Sequence, residues 1–161
     1  MPPLLRLSVG AVRLAPRLVL AALGAYLIAG ATPALSQVLN ACVLTVTTPG
    51  ILASNINATE ISSEQPAGRA ATLSVSATGF APAIHFAAPA MSSRPGVYSR
   101  TPVLSIRYTS AGGANQPYTI GPTWYRSTSL TDVITIHAKA EDQAGFAAGT
   151  YRIATMATCE Q

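Results

Sequence analysis

Few side chains in this sequence are equipped for covalent chemistry. His85 and His137 are its only histidines, and Cys42 and Cys159 its only cysteines. A histidine that moves protons needs a nucleophile or a carboxylate within hydrogen-bond reach. Both histidines instead sit in alternating segments, Ile84-His85-Phe86 and Ile136-His137-Ala138, on the side opposite their apolar neighbours. That placement predicts a solvated strand face. There is no G-x-S-x-G, no H-E-x-x-H and no glycine-rich phosphate cradle in the sequence. Glu141-Asp142-Gln143 could offer oxygens to calcium, but such a site takes ~6–8 ligands from a disciplined loop, so a solvated turn is expected. The chain therefore reads as a non-enzyme with no catalytic residue, metal or cofactor.

Binding has better raw material. Tyr118, Trp124, Tyr125 and Arg126 fall in one short stretch, with Tyr98 and Arg100 as outlying candidates. Tyr and Trp join a flat apolar face to a polar tip, which suits a sugar or a polymer. The single Trp of a small sandwich usually belongs to its core, so core packing is the expectation for Trp124. A glycan- or polymer-binding patch is the second reading. Arg94, Arg100 and Arg107 add modest positive charge, and Asn57-Ala58-Thr59 fits a permissive glycosylation tripeptide.

The two cysteines carry the firmest structural expectation. Met1 to Arg17 holds three arginines and no acid, Leu18 to Ala31 is unbroken apolar sequence, and Ala34-Leu35-Ser36 has small residues where a signal peptidase cuts. A signal peptide over residues 1–36 and a mature domain over 37–161 follow, with a second cleavage point after Ala31. An uncleaved anchor would put the domain on the same side of the membrane, because the arginines hold the N-terminus in the cytoplasm. Cleavage leaves no membrane span and an exported protein, whether periplasmic, at the cell surface or secreted. Leu39-Asn40-Ala41-Cys42 loosely imitates an acylation motif, but polar residues separate it from the apolar run. In an exported protein a Cys42–Cys159 disulfide is the default. It closes a loop of over a hundred residues, worth about 4.7 kcal/mol in chain entropy. It also brings the start of the first strand to the end of the last, antiparallel if the two are neighbours.

The elements that must position these residues read as strands. The chain has 161 residues, 49% of them hydrophobic and only 10% charged, which argues against disorder and for one packed domain. Its net charge of +4 falls to +1 without Arg6, Arg13 and Arg17, too little for counterion-driven nucleic-acid binding. Alternation of period two marks Cys42 to Thr47, Ala71 to Ala77, Leu104 to Tyr108, Ile134 to Lys139 and Tyr151 to Cys159. Brief strands are expected at Ile51 to Ala53 and at Ile84 to Phe86. Tyr118 to Arg126 is broken by Gly121-Pro122, Asn55 to Ser63 is ambiguous, and Ala88 to Pro102 reads as a mobile loop. About seven short antiparallel strands between turns describe an all-β, immunoglobulin-like sandwich.

Cys42-Val43-Leu44-Thr45-Val46, Pro49-Gly50-Ile51-Leu52, Gly145-Phe146-Ala147-Ala148-Gly149-Thr150-Tyr151 and Ala157-Thr158-Cys159 resemble the exported bacterial β-sandwiches typified by spore coat protein U and related fimbrial subunits. The resemblance implies a non-catalytic structural or interaction protein of the cell envelope or surface, partnered by envelope or surface proteins or by further copies of itself. Subunits that polymerise by donating a strand need a free N-terminal arm on the order of ten residues. Cleavage after Ser36 leaves only Gln37 to Ala41, and the ten residues left by cleavage after Ala31 make a poor strand because of Thr32, Pro33 and Asn40, which disfavours strand exchange but not a stand-alone or terminal module.

Overall fold

A computed structural model describes residues 40–161. The expected signal peptide and its cleavage points lie outside the described residues. Every regular element described is a strand, in chain order β1 (Cys42–Thr48), β2 (Ala53–Ser54), β3 (Glu60–Ser62), β4 (Ala71–Ala77), β5 (Ala83–Phe86), β6 (Ala90–Ser93), β7 (Val103–Ser110), β8 (Asn115–Thr119), β9 (Thr123–Arg126), β10 (Thr131–Glu141), β11 (Arg152–Ala154) and β12 (Ala157–Glu160). All pairings are antiparallel. The protein is thus an all-β sandwich, with twelve strands rather than about seven.

The eleven-residue β10 is the spine of the larger, seven-stranded sheet. Along one edge it pairs first with β4, through Thr131–Ile136, and then with β3, through Lys139–Glu141. Its other edge pairs with β7 from Ile134 to Glu141. β1 lies outside β4, β2 outside β3 and β8 outside β7. The facing layer is a three-stranded sheet in the order β12-β5-β9, and β6 and β11 form a separate ribbon.

Alternating side chains from both layers meet between them. Leu73 and Val75 of β4, Ile106 and Tyr108 of β7 and Ile134 of β10 pack against Ile84 and Phe86 of β5. Phe86 and Tyr108 are in ring contact, centroids 4.6 Å apart. Cys42 and Leu44 from β1 and Ala157 and Cys159 from β12 extend this core to one side of the sandwich. The expected disulfide is there, with its Cα atoms 6.1 Å apart. It does not join neighbours in one sheet: β1 pairs only with β4 and β12 only with β5, so the bond ties an edge of one layer to an edge of the other.

Three expectations are corrected by long-range pairing. The stretch from Ala88 to Pro102 contains β6, held by β11. The single last strand is two, since pairing passes from β6 to β5 between Ala154 and Ala157. The ambiguous segment Asn55 to Ser63 contains the turn of the β2–β3 hairpin and β3 itself. Asn55 holds that turn: its side-chain oxygen accepts the amide protons of Thr59 and Glu60 at 2.9 and 3.2 Å. The tripeptide from Asn57 to Thr59 lies in the same turn.

Candidate functional site

Alternation along a strand sends successive side chains to opposite faces, and this parity decides where the aromatic candidates go. In β9, Tyr125 turns into the core while Trp124 and Arg126 turn outward. Trp124 is 61% exposed, which corrects the expectation of core packing. In β5, Ile84 and Phe86 are buried, leaving His85 on the outer face; β12 likewise turns half-buried Ala157 and Cys159 inward and presents Thr158 and Glu160. Register then sets two rungs side by side across the three-stranded sheet. One runs Trp124, His85, Thr158 and the other Arg126, Ala83, Glu160.

These rungs make a flat, mixed surface. The rings of Trp124 and His85 stack with centroids 5.9 Å apart and planes within 19°. His85 Nε2 lies 3.6 Å from Glu160 Oε2. Pro122 and Met156 border a shallow depression of about 360 Å³ around the Trp124 ring. Arg126 donates from Nη1 to the Ala81 carbonyl at 3.4 Å.

The other candidates lie elsewhere. Tyr125 donates its hydroxyl proton to Asp132 Oδ2 at 2.7 Å, and its ring lies 5.6 Å from that of Tyr108. Burial, reinforced by the Asp132 carboxylate, raises its pKa well above the usual phenol range. Tyr118 is on β8 in the larger sheet, with Lys139 Nζ 4.8 Å and the Arg107 guanidinium 5.7 Å from its ring centre. Its hydroxyl donates to Glu64 Oε2 at 2.6 Å. Burial and then this carboxylate push the Tyr118 pKa up to about 12, while the Tyr118 hydrogen bond leads in holding Glu64 below its usual range. The Gly121-Pro122 break is thus a passage between layers, and it separates Tyr118 from Trp124.

Tyr98 and Arg100 belong to a third place. Tyr98 is buried, stacked on Phe146 with centroids 5.4 Å apart and meeting Tyr151 edge-on. Its hydroxyl and Arg100 Nε both donate to Asp142 Oδ2 at 2.6 Å. Asp142, considered above as a calcium ligand, is therefore the anchor of a loop.

His137 departs from the solvated face expected of it. It is half-buried, sharing a 3.2 Å hydrogen bond between Nδ1 and Ser63 Oγ, while that oxygen accepts the amide proton of Ala138. Burial and then the Arg107 charge lower its pKa, favouring the neutral ring. Ser63 and His137 are 74 residues apart in sequence, so no spacing rule could have joined them. The pair does not form a catalytic relay, because both Ser63 and the nearest carboxylate, Glu64 at 3.9 Å, face the same ring nitrogen. Among the described residues no group of three or more His, Cys, Asp or Glu could hold a metal ion.

A second concavity opens on the side where β1 and β12 face each other. This cleft of about 300 Å³ lies between the end of β1 and the β11–β12 segment, with Val46, Leu52 and Ile153 at its rim and Phe86, Ile106 and Ile136 deeper in. Ser63, Thr72 and Thr155 also line it, among mostly apolar residues. Comparison with family models, with curated proteins and with solved structures finds no match to this chain.

Proposed function

We propose that the chain is an exported, non-catalytic structural or interaction protein of the cell envelope or surface, associating through the open side of the sandwich between β1 and β12. The carrying observation is the apolar cleft flanked by two strands that each have one unpaired edge. An unpaired edge offers a row of backbone donors and acceptors to an extended segment of another chain, and an adjoining apolar groove receives its alternate side chains. Val46, at the rim of this cleft, leaves an apolar side chain 67% exposed on β1. The Cys42–Cys159 disulfide suits an oxidising compartment, and the resemblance to coat and fimbrial subunits implies the same class of role.

The test is sedimentation of the secreted form at rising concentration, alone and with its own secretion partners. Assembly or partner binding is expected, and Val46→Lys should abolish it by placing a charge on the edge while leaving the fold intact. A protein that stays monomeric under all these conditions would sink the reading.

A further inference from the structure

The outer face of the three-stranded sheet lies on another part of the molecule and presents different chemistry. We propose that it is a saccharide-binding platform, on which a pyranose ring stacks against the Trp124 indole.

Trp124 is the only tryptophan of the chain, and it is held outward on a paired strand. An exposed indole is flat, apolar and electron-rich over its face. One face of a pyranose is a patch of polarised C–H groups and its rim is a ring of hydroxyls, so the sugar matches such a surface in both shape and charge. The near-coplanar His85 lengthens the strip beyond one ring. Groups that can bind the hydroxyl rim stand on the same face. Arg126, two residues along β9, is about 7 Å from Trp124 at ~3.4 Å per residue. Thr158 and Glu160 lie across β5 in the register described above. A guanidinium, a hydroxyl and a carboxylate around an aromatic floor supply both donors and acceptors.

Size and charge narrow the ligand. The depression of about 360 Å³ is at the small end of small-molecule sites, ~300–1,000 Å³. One arginine against one glutamate gives no net attraction for a polyanion, so the expected ligand is a neutral saccharide.

Because Trp124 is the sole indole, intrinsic emission reads this site directly. The probes are hexamers of β-1,4-linked glucose and of β-1,4-linked N-acetylglucosamine. Without ligand, the emission should be red-shifted and open to acrylamide quenching. At least one hexamer should shift it to the blue, saturably, and protect it from quencher. By calorimetry, Trp124→Ala should weaken that binding at least tenfold with an unchanged melting temperature, and Trp124→Tyr should retain most of it. Val46→Lys should also leave it intact, which separates failure of this site from failure of the β1 edge. The proposal is overturned if neither hexamer alters the emission at millimolar concentration, if binding survives Trp124→Ala, or if the unliganded emission is already blue and quencher-resistant.

Discussion

Asp132 is the side chain on which local order depends most. It is 3% exposed, and its carboxylate accepts protons from the Gly112 amide at 2.7 Å, the Val133 amide at 2.8 Å, the Tyr125 hydroxyl at 2.7 Å and the Ser127 hydroxyl at 3.3 Å. Hydrogen bonds to a charged group contribute about 1.5–3 kcal/mol each. Tyr125→Phe should therefore lose roughly 2 kcal/mol in urea unfolding, with no change in the slope if only stability is altered. Gly112 is needed at the same spot for space: a Cβ there would collide with the Asp132 carboxylate and the Ser127 hydroxyl. Overpacking of this kind costs about 1–3 kcal/mol, so Gly112→Ala should unfold at lower urea. None of this was legible from Asp132 in the sequence, where it appears as one more acid near a turn. The fate of Trp124 was missed for a related reason. A one-residue change of parity sends a strand side chain to the opposite face, and only the pairing of Ile84 with Tyr125 shows which of the two aromatics faces in.

At the scale of elements, the strands with strict alternation were legible because burial on one face enforces it. Leu73, Val75 and Ala77 are buried in β4, as their spacing from Thr72, Ser74 and Ser76 predicts. β6 was not legible because most of Ala90–Ser93 is exposed and its order comes from β11, some sixty residues away. The loops that pack the Tyr98 cluster are likewise joined only in space. Ala58 takes a left-handed φ of 53° while its carbonyl accepts the Phe146 amide, docking the β2–β3 turn on the loop that carries Asp142. That conformation costs a non-glycine residue about 1–2 kcal/mol, so Ala58→Gly should leave the melting point level or raise it. The Asp142 contacts predict pH dependence. Hydrogen bonds from Tyr98 and then Arg100 hold the Asp142 pKa below its ordinary value. A depressed carboxylate stabilises the fold above its unfolded pKa, and that contribution fades as pH falls through the folded value. Amide protection factors in residues 95–100 and 142–151, corrected for the intrinsic pH dependence of exchange, should fall as the pH drops below about 4, the ordinary Asp range, and Asp142→Asn should flatten that response.

Over the whole molecule, the all-β class and the disulfide followed from composition, alternation and two cysteines at the ends of the domain. The layering did not, because nothing in the spacing of Cys42 and Cys159 says whether they join strands of one sheet or of two. The bond spans a sequence separation of 117 residues. By the chain-entropy relation it contributes about 4.7 kcal/mol for a loop of that order. Reduction, or Cys42→Ala with Cys159→Ala, should lower the melting temperature by roughly 15 °C, taking about 3–4 °C per kcal/mol for a domain of this size. An unchanged melting point in reductant would show that the two layers hold together without it.

The placement of that bond also governs how the domain bears tension. Cys42 opens β1, the first strand described, and Cys159 lies in β12, the last, so a pull applied just outside these two residues runs through sulfur and bypasses the strands between them. Stretched between handles fused just before Cys42 and after Gln161, the oxidised domain should transmit force as an almost inextensible link. Added reductant should release the 117-residue loop, about 400 Å of slack at ~3.4 Å per residue.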